Sequence, residues 1–515
     1  MKLVTVPQML DIEKEADANG LPYVQMMENA GRRLAEIVNE IAFDDDWEQV
    51  FGLVGPGNNG GDTLIALTHL AEEGWHACAY IVKRKKKDEL ITRLIEAGGE
   101  AVFAENDSEF LVLATHLESA DILLDGLLGT GFKLPLKGNV AALLDQSLLV
   151  LEKLDQPPYV IAVDCPSGVD CDSGDVALEC IPADLTVTMA AVKQGLLKLP
   201  AYEFVGDLAI VDIGLPDDLA SFHTLKTEVA DYDLVAGLLP ARGLDSHKGT
   251  FGTALIAAGS LNYTGAALLA ATAAYRVGTG LVTLAVPEPL QAVLAGQLPE
   301  ATWVLLPHEA GFISETASET LLNHIHRFTA FLLGPGIGNQ VSTRKFIEAM
   351  ISTVKLPTVV DADGLRHLAQ IEDWHKKIYP LAILTPHIGE MSALTGLSKD
   401  EIQENKNEIA VEYAKEWGHV VVLKGAFTVI ASPTGQMTII PVATPALARA
   451  GTGDVLAGLI VGLRAQGLDA YSAAVAGAFI HAEAGLIAAE DLGTTASVLA
   501  SDVLNSIADV ISELE

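Results

Sequence analysis

Cysteine is nearly absent: four in 515 residues, at positions 78, 165, 171 and 180, with no C-x-x-C pair and no histidine at metal-ligand spacing. That excludes a disulfide framework and argues against a zinc site, so the four read as reduced small hydrophobes. Basic residues are scarce too, 32 Lys and Arg against 68 Asp and Glu, for a formal charge of -36. Nucleic-acid binding, which needs clustered cations to release counterions, is thereby excluded, and affinity for phosphorylated ligands has to be built locally. The one basic run, Lys83-Arg84-Lys85-Lys86-Lys87, follows the apolar Ala79-Tyr80-Ile81-Val82 and reads as a solvated strand-to-helix loop. No apolar run is long and unbroken. The longest uncharged stretch, Gly249 to Tyr275, is interrupted by Gly259-Ser260-Leu261-Asn262, a loop between a strand and a helix, so a membrane span is rejected. No signal-peptide core fits around Asp11, Glu13, Lys14, Glu15 and Asp17, and the expected location is cytoplasmic.

Half of the residues are hydrophobic, enough for two or more domains with cores of their own. Helices are predicted from Pro7 to Gly20 and from about Tyr23 to Ile41, then strands at Val50–Val54, Cys78–Val82, Ile122–Leu124 and Val160–Val163 with helices between them. This alternation is that of a parallel sheet wrapped by helices. It lapses between Pro216 and Asp245 and resumes at Thr253-Ala254-Leu255-Ile256, placing a seam near residues 218–230 and domains at 1–222 and 223–515. Further strands are expected near 281–286, 330–333, 358–360, 382–384 and 420–423, with two helices after a glycine turn at the end.

That turn, Ala450-Gly451-Thr452-Gly453-Asp454, opens an apolar helix. Its backbone N–H groups and the helix N-terminus, equivalent to roughly +0.5 charge, suit phosphate oxygens. Asp454 beside such a cradle can accept a proton from a hydroxyl attacking phosphorus, although Asp is also among the commonest helix caps. Four more features stand just past predicted strands, in the crevice where open α/β sheets bind ligands: Gly334-Pro335-Gly336-Ile337-Gly338, Asp361-Ala362-Asp363-Gly364, Thr385-Pro386-His387-Ile388-Gly389-Glu390 and Val421-Val422-Leu423-Lys424-Gly425. Asp361-Ala362-Asp363-Gly364 could hold a metal ion or a ligand hydroxyl, or simply turn the chain.

From Lys248 onward this order resembles the ribokinase-like superfamily, and within it the proteins that dehydrate the nicotinamide hydrates NADHX and NADPHX. The resemblance implies that Asp454 activates the hydrate's hydroxyl for attack on the nucleotide's terminal phosphate, and that Ala450, Gly451, Thr452 and Gly453 shape the anion hole. It places Lys424, Gly425, Ala426, Phe427 and Thr428 at the nucleotide, and His387, Gly389, Glu390, Gly338 and Ala266 at the hydrate. Mg²⁺ and ADP are the implied cofactor and co-substrate. Ile388 stands where the family often has Pro, and Thr444 where it often has Asn.

In the first half, Gly55-Pro56-Gly57-Asn58-Asn59-Gly60-Gly61-Asp62 leaves a strand for a helix expected to start near Thr63, and its N–H groups and Asn carbonyls suit phosphate or a hard cation. With Asp125-Gly126-Leu127-Leu128-Gly129-Thr130-Gly131 and Val163-Asp164-Cys165-Pro166-Ser167-Gly168, this resembles the epimerase domain that interconverts the R and S forms of the same hydrates. The resemblance implies K⁺ at Asn59, Asp125 and Ser167. It implies substrate along Asn58, Asn59, Gly60, Gly61 and Asp62 and along Gly129, Thr130, Gly131, Phe132, Lys133, Leu134 and Pro135, with Asp164 as acid or base. Thr63 stands where that family usually has Gly.

The fold expected is α/β throughout, a Rossmann-like three-layer domain followed by a ribokinase-like one. The expected activity is repair of hydrated NAD(P)H by an epimerase feeding a stereospecific dehydratase, in a homo-oligomer that binds neither nucleic acid nor membrane. A ribokinase-like kinase for a vitamin-precursor alcohol and a scaffold whose first half is an interaction module are the rival readings. Release of orthophosphate with a reduced dinucleotide would reject the kinase.

Overall fold

The computed structural model describes residues 1–45 and 47–515. It divides into two compact units, Met1–Leu225 and Lys226–Glu515.

The first unit is built on a seven-stranded parallel sheet with the spatial order Glu100–Phe103, His76–Ile81, Gln49–Val54, Ile122–Gly126, Tyr159–Val163, Leu185–Met189, Asp207–Val211. Counted along the chain the order is 3-2-1-4-5-6-7, so the direction of winding reverses between Gln49–Val54 and Ile122–Gly126. A crevice opens at such a switch point. Alternate side chains serve opposite faces: Val50 and Val54 join a core with Leu34, Val38, Leu64 and Leu67, while Phe51 and Leu53 join another with Leu113, Leu117 and Leu144. Helices therefore cover both faces. The first two helices run from Val6 to Ala18, capped by Thr5 with Pro7 in the first turn, and from Tyr23 to Ile41.

The second unit holds a ten-stranded sheet, ordered Thr227–Val229, Met437–Ile439, Val429–Ala431, Val420–Leu423, Ile383–Leu384, Thr358–Val360, Ala330–Leu333, Thr253–Ala257, Leu281–Pro287, Thr302–Leu306. Only Val429–Ala431 runs antiparallel to its neighbours, and the winding reverses between Thr253–Ala257 and Ala330–Leu333. Ala-rich helices Thr264–Arg276, Thr452–Ala465, Ala470–Leu492 and Ala500–Leu514 bury one face of this sheet. Among the described residues one helix, Ala470–Leu492, is long and apolar enough to cross a bilayer. It is a core helix, since 72% of its most apolar window is buried.

Two expectations need correction. The helix after the first glycine-rich turn starts at Asn58, not near Thr63, so Asn58 to Asp62 form its opening turns. Three helices follow the second glycine turn rather than two. The basic run is exposed except for Arg84, which donates to Gly55 O at 3.1 Å and to Gly57 O at 3.2 Å and pairs with Asp88 at 2.7 Å.

Candidate active sites

In the second unit the motifs at four strand ends gather. Lys424, at the end of Val420–Leu423, lies 2.8 Å from Asp361 Oδ1 and 3.9 Å from Glu390 Oε2. Burial alone would lower the Lys424 pKa, but Asp361 and Glu390 outweigh it and raise it. Thr385 Oγ1 donates to the same Asp361 oxygen at 2.6 Å. His387 caps the helix Ile388–Thr395: its Nδ1 accepts from the amides of Gly389 and Glu390, and its own amide donates to Glu390 Oε2 at 3.0 Å. Ile388 opens that helix without disturbing the cap. Gly338 N donates to Asp363 Oδ2 at 2.9 Å, and Ala266 is buried against the Gly336 turn.

Gly451 caps the helix Thr452–Ala465 from the left-handed region, φ 93°, which puts Asp454 in the first turn and rules out its being the cap. Burial, then the like charges of Asp361 and Asp363, push the Asp454 carboxyl up to about 7 against the pull of Lys424. A carboxylate at that value is matched to proton transfer near neutrality. A cavity of about 410 Å³ is lined by polar groups, among them Lys424, Thr428, Arg449, Thr452 and His481, by Gly425, Ala426 and Gly453, and by the apolar Ile440, Val442, Leu447, Leu456 and Ala478. Phe427, Ala450, Gly451 and Asp454 are not on its wall; Phe427 instead turns the chain at φ 53° with its amide on Val442 O, and Asp454 stands one residue beyond Gly453. Thr444 lies on this wall and caps the short turn Pro445–Leu447.

In the first unit the glycine-rich turn and Leu127–Phe132 line a cavity of about 310 Å³ at the switch point. Close packing requires glycine here: a Cβ on Gly55 would sit 1.8 Å from Leu127 O, and one on Gly60 2.1 Å from Gly55 O. Gly55→Ala is expected to destabilise the chain by more than the roughly 1–3 kcal/mol typical of overpacking, because the clash is with backbone. A lowered urea midpoint would show it, and an unchanged one would refute the packing. Gly61 packs on Met27, while Lys133, Leu134 and Pro135 reach neither this cavity nor its neighbour. Thr63 fits without crowding the turn, donating to Asn59 O at 2.7 Å.

Asp125, 1% exposed, accepts from Ser167 N at 2.7 Å and Ser167 Oγ at 2.6 Å. Burial raises its pKa, opposed by the Ser167 bonds, and among the described residues no cation pairs with it. Asn59 Nδ2 donates to Leu128 O at 3.1 Å and Val163 O at 2.5 Å, which leaves Oδ1 as a ligand atom. A buried carboxylate, a hydroxyl and an amide oxygen form a donor set that suits a hard cation.

A neighbouring cavity of about 120 Å³ shares Asn58, Asn59 and Thr130 with the first and adds Asp62, Asp164, Lys193 and Glu13. Two adjacent strands end above it in strained γ-turns: Cys165 N bonds Val163 O around Asp164 at φ 66°, and Ala191 N bonds Met189 O around Ala190 at φ 61°. Each costs roughly 1–3 kcal/mol and points to a functional constraint. The turns bring Lys193 onto Asp164 Oδ1 in an ion pair, with Thr188 Oγ1 and Met189 N donating to the same oxygen at 3.2 and 3.0 Å. Sequence reasoning missed Lys193 and Glu13. The one signal for Lys193 was its place beside an apolar strand run, Leu185 to Val192.

A Rossmann-like unit and a ribokinase-like unit, each with carboxylates and glycine turns at its strand ends, define an α/β enzyme of nucleotide chemistry. A profile of the NAD(P)H-hydrate dehydratase family matches residues 254–508, and one of YjeF-related protein N-termini matches residues 24–195. The chain is 36% identical, over its full length and 97% of the relative's, to the bifunctional NAD(P)H-hydrate repair enzyme Nnr of Moorella thermoacetica. It is 36% identical, over 96% of its length and 93% of the relative's, to the protein of that name from Salinibacter ruber. A crystal structure of the ADP/ATP-dependent NAD(P)H-hydrate dehydratase of Bacillus subtilis, co-crystallised with ATP and Mg²⁺, is 31% identical and aligns with 56% of this chain and 99% of its own, at a TM-score of 0.48. The chain belongs to the family of bifunctional NAD(P)H-hydrate repair enzymes.

Proposed function

We propose that residues 1–222 epimerise the R and S forms of NADHX and NADPHX, and that residues 223–515 dehydrate the S form with ADP as phosphoryl donor. The observation that carries this reading is the place of Asp454 in the first turn of the helix Thr452–Ala465, behind the Gly451 cap and near Lys424, where its carboxyl is pushed up to about 7. Asp454 removes the proton from the hydrate's hydroxyl as that oxygen attacks the donor's terminal phosphorus. Lys424 and the amides of Gly451 to Gly453 stabilise the transferring group, and the carbinol phosphate then loses orthophosphate, pushed out by the ring nitrogen's electron pair, and a proton from the adjoining ring carbon passes to solvent, which restores the dihydropyridine. Mg²⁺ would be held by the donor's phosphates with Asp361 and Asp363, where it neutralises phosphate charge. K⁺ would be held by Asn59 Oδ1, Asp125 and Ser167, fixing the two loops that carry the substrate's phosphates. The reading places the enzyme in the cytoplasm as a homo-oligomer.

Given a mixture of NADHX epimers with ADP, Mg²⁺ and K⁺, the protein should return the NADH absorbance completely. A plateau with one epimer left would remove the epimerase half of the reading. No recovery with ADP or ATP would remove both.

A further inference from the structure

We propose that Lys193 is the positioning residue that makes one oxygen of Asp164 a base, and that Glu13, from the helix Val6–Ala18, is the acid that works with it. The proposal rests on reading the first unit as the epimerase. Lys193 is 1% exposed, and its ammonium donates to Asp164 Oδ1, to Thr188 Oγ1 at 3.0 Å and to Met189 O at 3.0 Å. Three donors meet three acceptors, so none is left for a ligand. Asp164 Oδ1 is saturated by Lys193, Thr188 and the Met189 amide, whereas Oδ2 accepts no bond among the described residues. The carboxylate is thus anchored by one oxygen and works with the other.

Glu13 lines the same cavity from an element ahead of the residues matched by the family profile, 24–195. Among the described residues its carboxyl has no hydrogen bond or ion pair. Burial and the charge of Asp164 raise its pKa, with Lys193 opposing. Asp62, the third carboxyl on this wall, is pushed well above its ordinary value by burial, Asp164 and Glu13, against Lys193 and Arg84. Three carboxyls with one ammonium favour retention of a proton in the cavity. The rest of the wall combines the polar Asn58, Asn59 and Thr130 with Tyr23 and the apolar Met9, Leu10 and Met26.

The substrate's chemistry needs these two groups. Water adds to an enamine with its oxygen on the carbon bonded to nitrogen, so the hydrate's stereocentre is a carbinolamine carbon. Asp164 Oδ2 takes the hydroxyl proton, the C–N bond opens, and its electron pair passes to the ring nitrogen, which takes a proton from Glu13. The products are an aldehyde and a secondary enamine. Rotation about the adjoining C–C bond presents the other carbonyl face, and reversal closes the ring and returns both protons. No oxidant or reductant is required.

The test uses the full chain with the R epimer of NADHX and K⁺ but no nucleotide donor, and follows the S epimer by chromatography. Glu13→Gln should lower kcat by about 10²–10⁴-fold, the usual range for a general acid, with KM little changed and the high-pH limb of the rate profile gone. Lys193→Met should lower kcat and move the low-pH limb upward, since the base loses its cation. Lys193→Arg keeps the charge but not the fit, so it should keep that limb at a reduced kcat. An E13Q chain with the wild-type rate and profile, or loss of the high-pH limb in D62N instead, overturns the role of Glu13. A K193M chain with an unmoved limb overturns that of Lys193; if K193M does not fold, an unchanged kcat in K193R does so. A wild-type chain inert on the R epimer would sink the epimerase reading itself, a result distinct from active wild type with unaffected variants.

Discussion

Asp454→Asn is expected to slow dehydration of the S epimer by about 10³–10⁴-fold, the upper part of what a general base contributes, while raising the melting temperature of the protein at neutral pH. Both effects come from one half-buried charge. Burial, Asp361 and Asp363 push the carboxyl up to about 7, so the fold binds its proton more tightly than the unfolded chain does. Stability from that proton is full below the ordinary carboxylate range near 4 and is lost as pH rises to about 7. The asparagine chain suffers no such loss, so its advantage in thermal unfolding should be absent at pH 4 and largest at pH 8. The wild-type dehydration rate should rise with pH through about 7 as the base ionises. A D454N chain that dehydrates at the wild-type rate would remove Asp454 from the mechanism. One that melts at the wild-type temperature at pH 8 would show that the charge is not strained.

Legibility in the sequence followed the range of the interactions. Both sheets place chemistry at strand ends or helix starts, and those are local signals: Gly55 to Asp62 follows an apolar strand and Ala450 to Asp454 opens an apolar helix. What was hidden lies in pairs distant along the chain. Lys424 and Asp361 are 63 residues apart, Asp164 and Lys193 are 29, and no periodicity connects them. Lys193 has the composition of a solvated residue. It is buried because Val192–Lys193 pairs with Leu3–Val4, nearly two hundred residues earlier in the chain, and because the γ-turn at Ala190 swings it inward. The early start of the helix at Asn58 had a different cause. Asn and Gly are poor helix formers, but here close approach of Gly55 to Gly60 and the hold of Arg84 on Gly55 and Gly57 outweigh propensity.

Asp164→Asn should sharply reduce the other activity, and with the opposite sign for stability. Asparagine tolerates the left-handed region better than most residues, so the γ-turn at φ 66° should survive and the lesion should be confined to charge. The change leaves the Lys193 ammonium, 1% exposed, without its counter-charge. Breaking a buried pair from one side typically costs about 3–5 kcal/mol, so the melting temperature should fall where that of D454N rises. Epimerisation should drop by about 10²–10⁴-fold with the loss of the base. With a mixture of epimers, ADP, Mg²⁺ and K⁺, NADH should return until the S form is gone and then stall with the R form remaining. Adding D454N protein should restart recovery, because that chain keeps the epimerase while the D164N chain keeps the dehydratase. Failure of the two variants to complement in one cuvette would mean that the activities do not reside in separate sites.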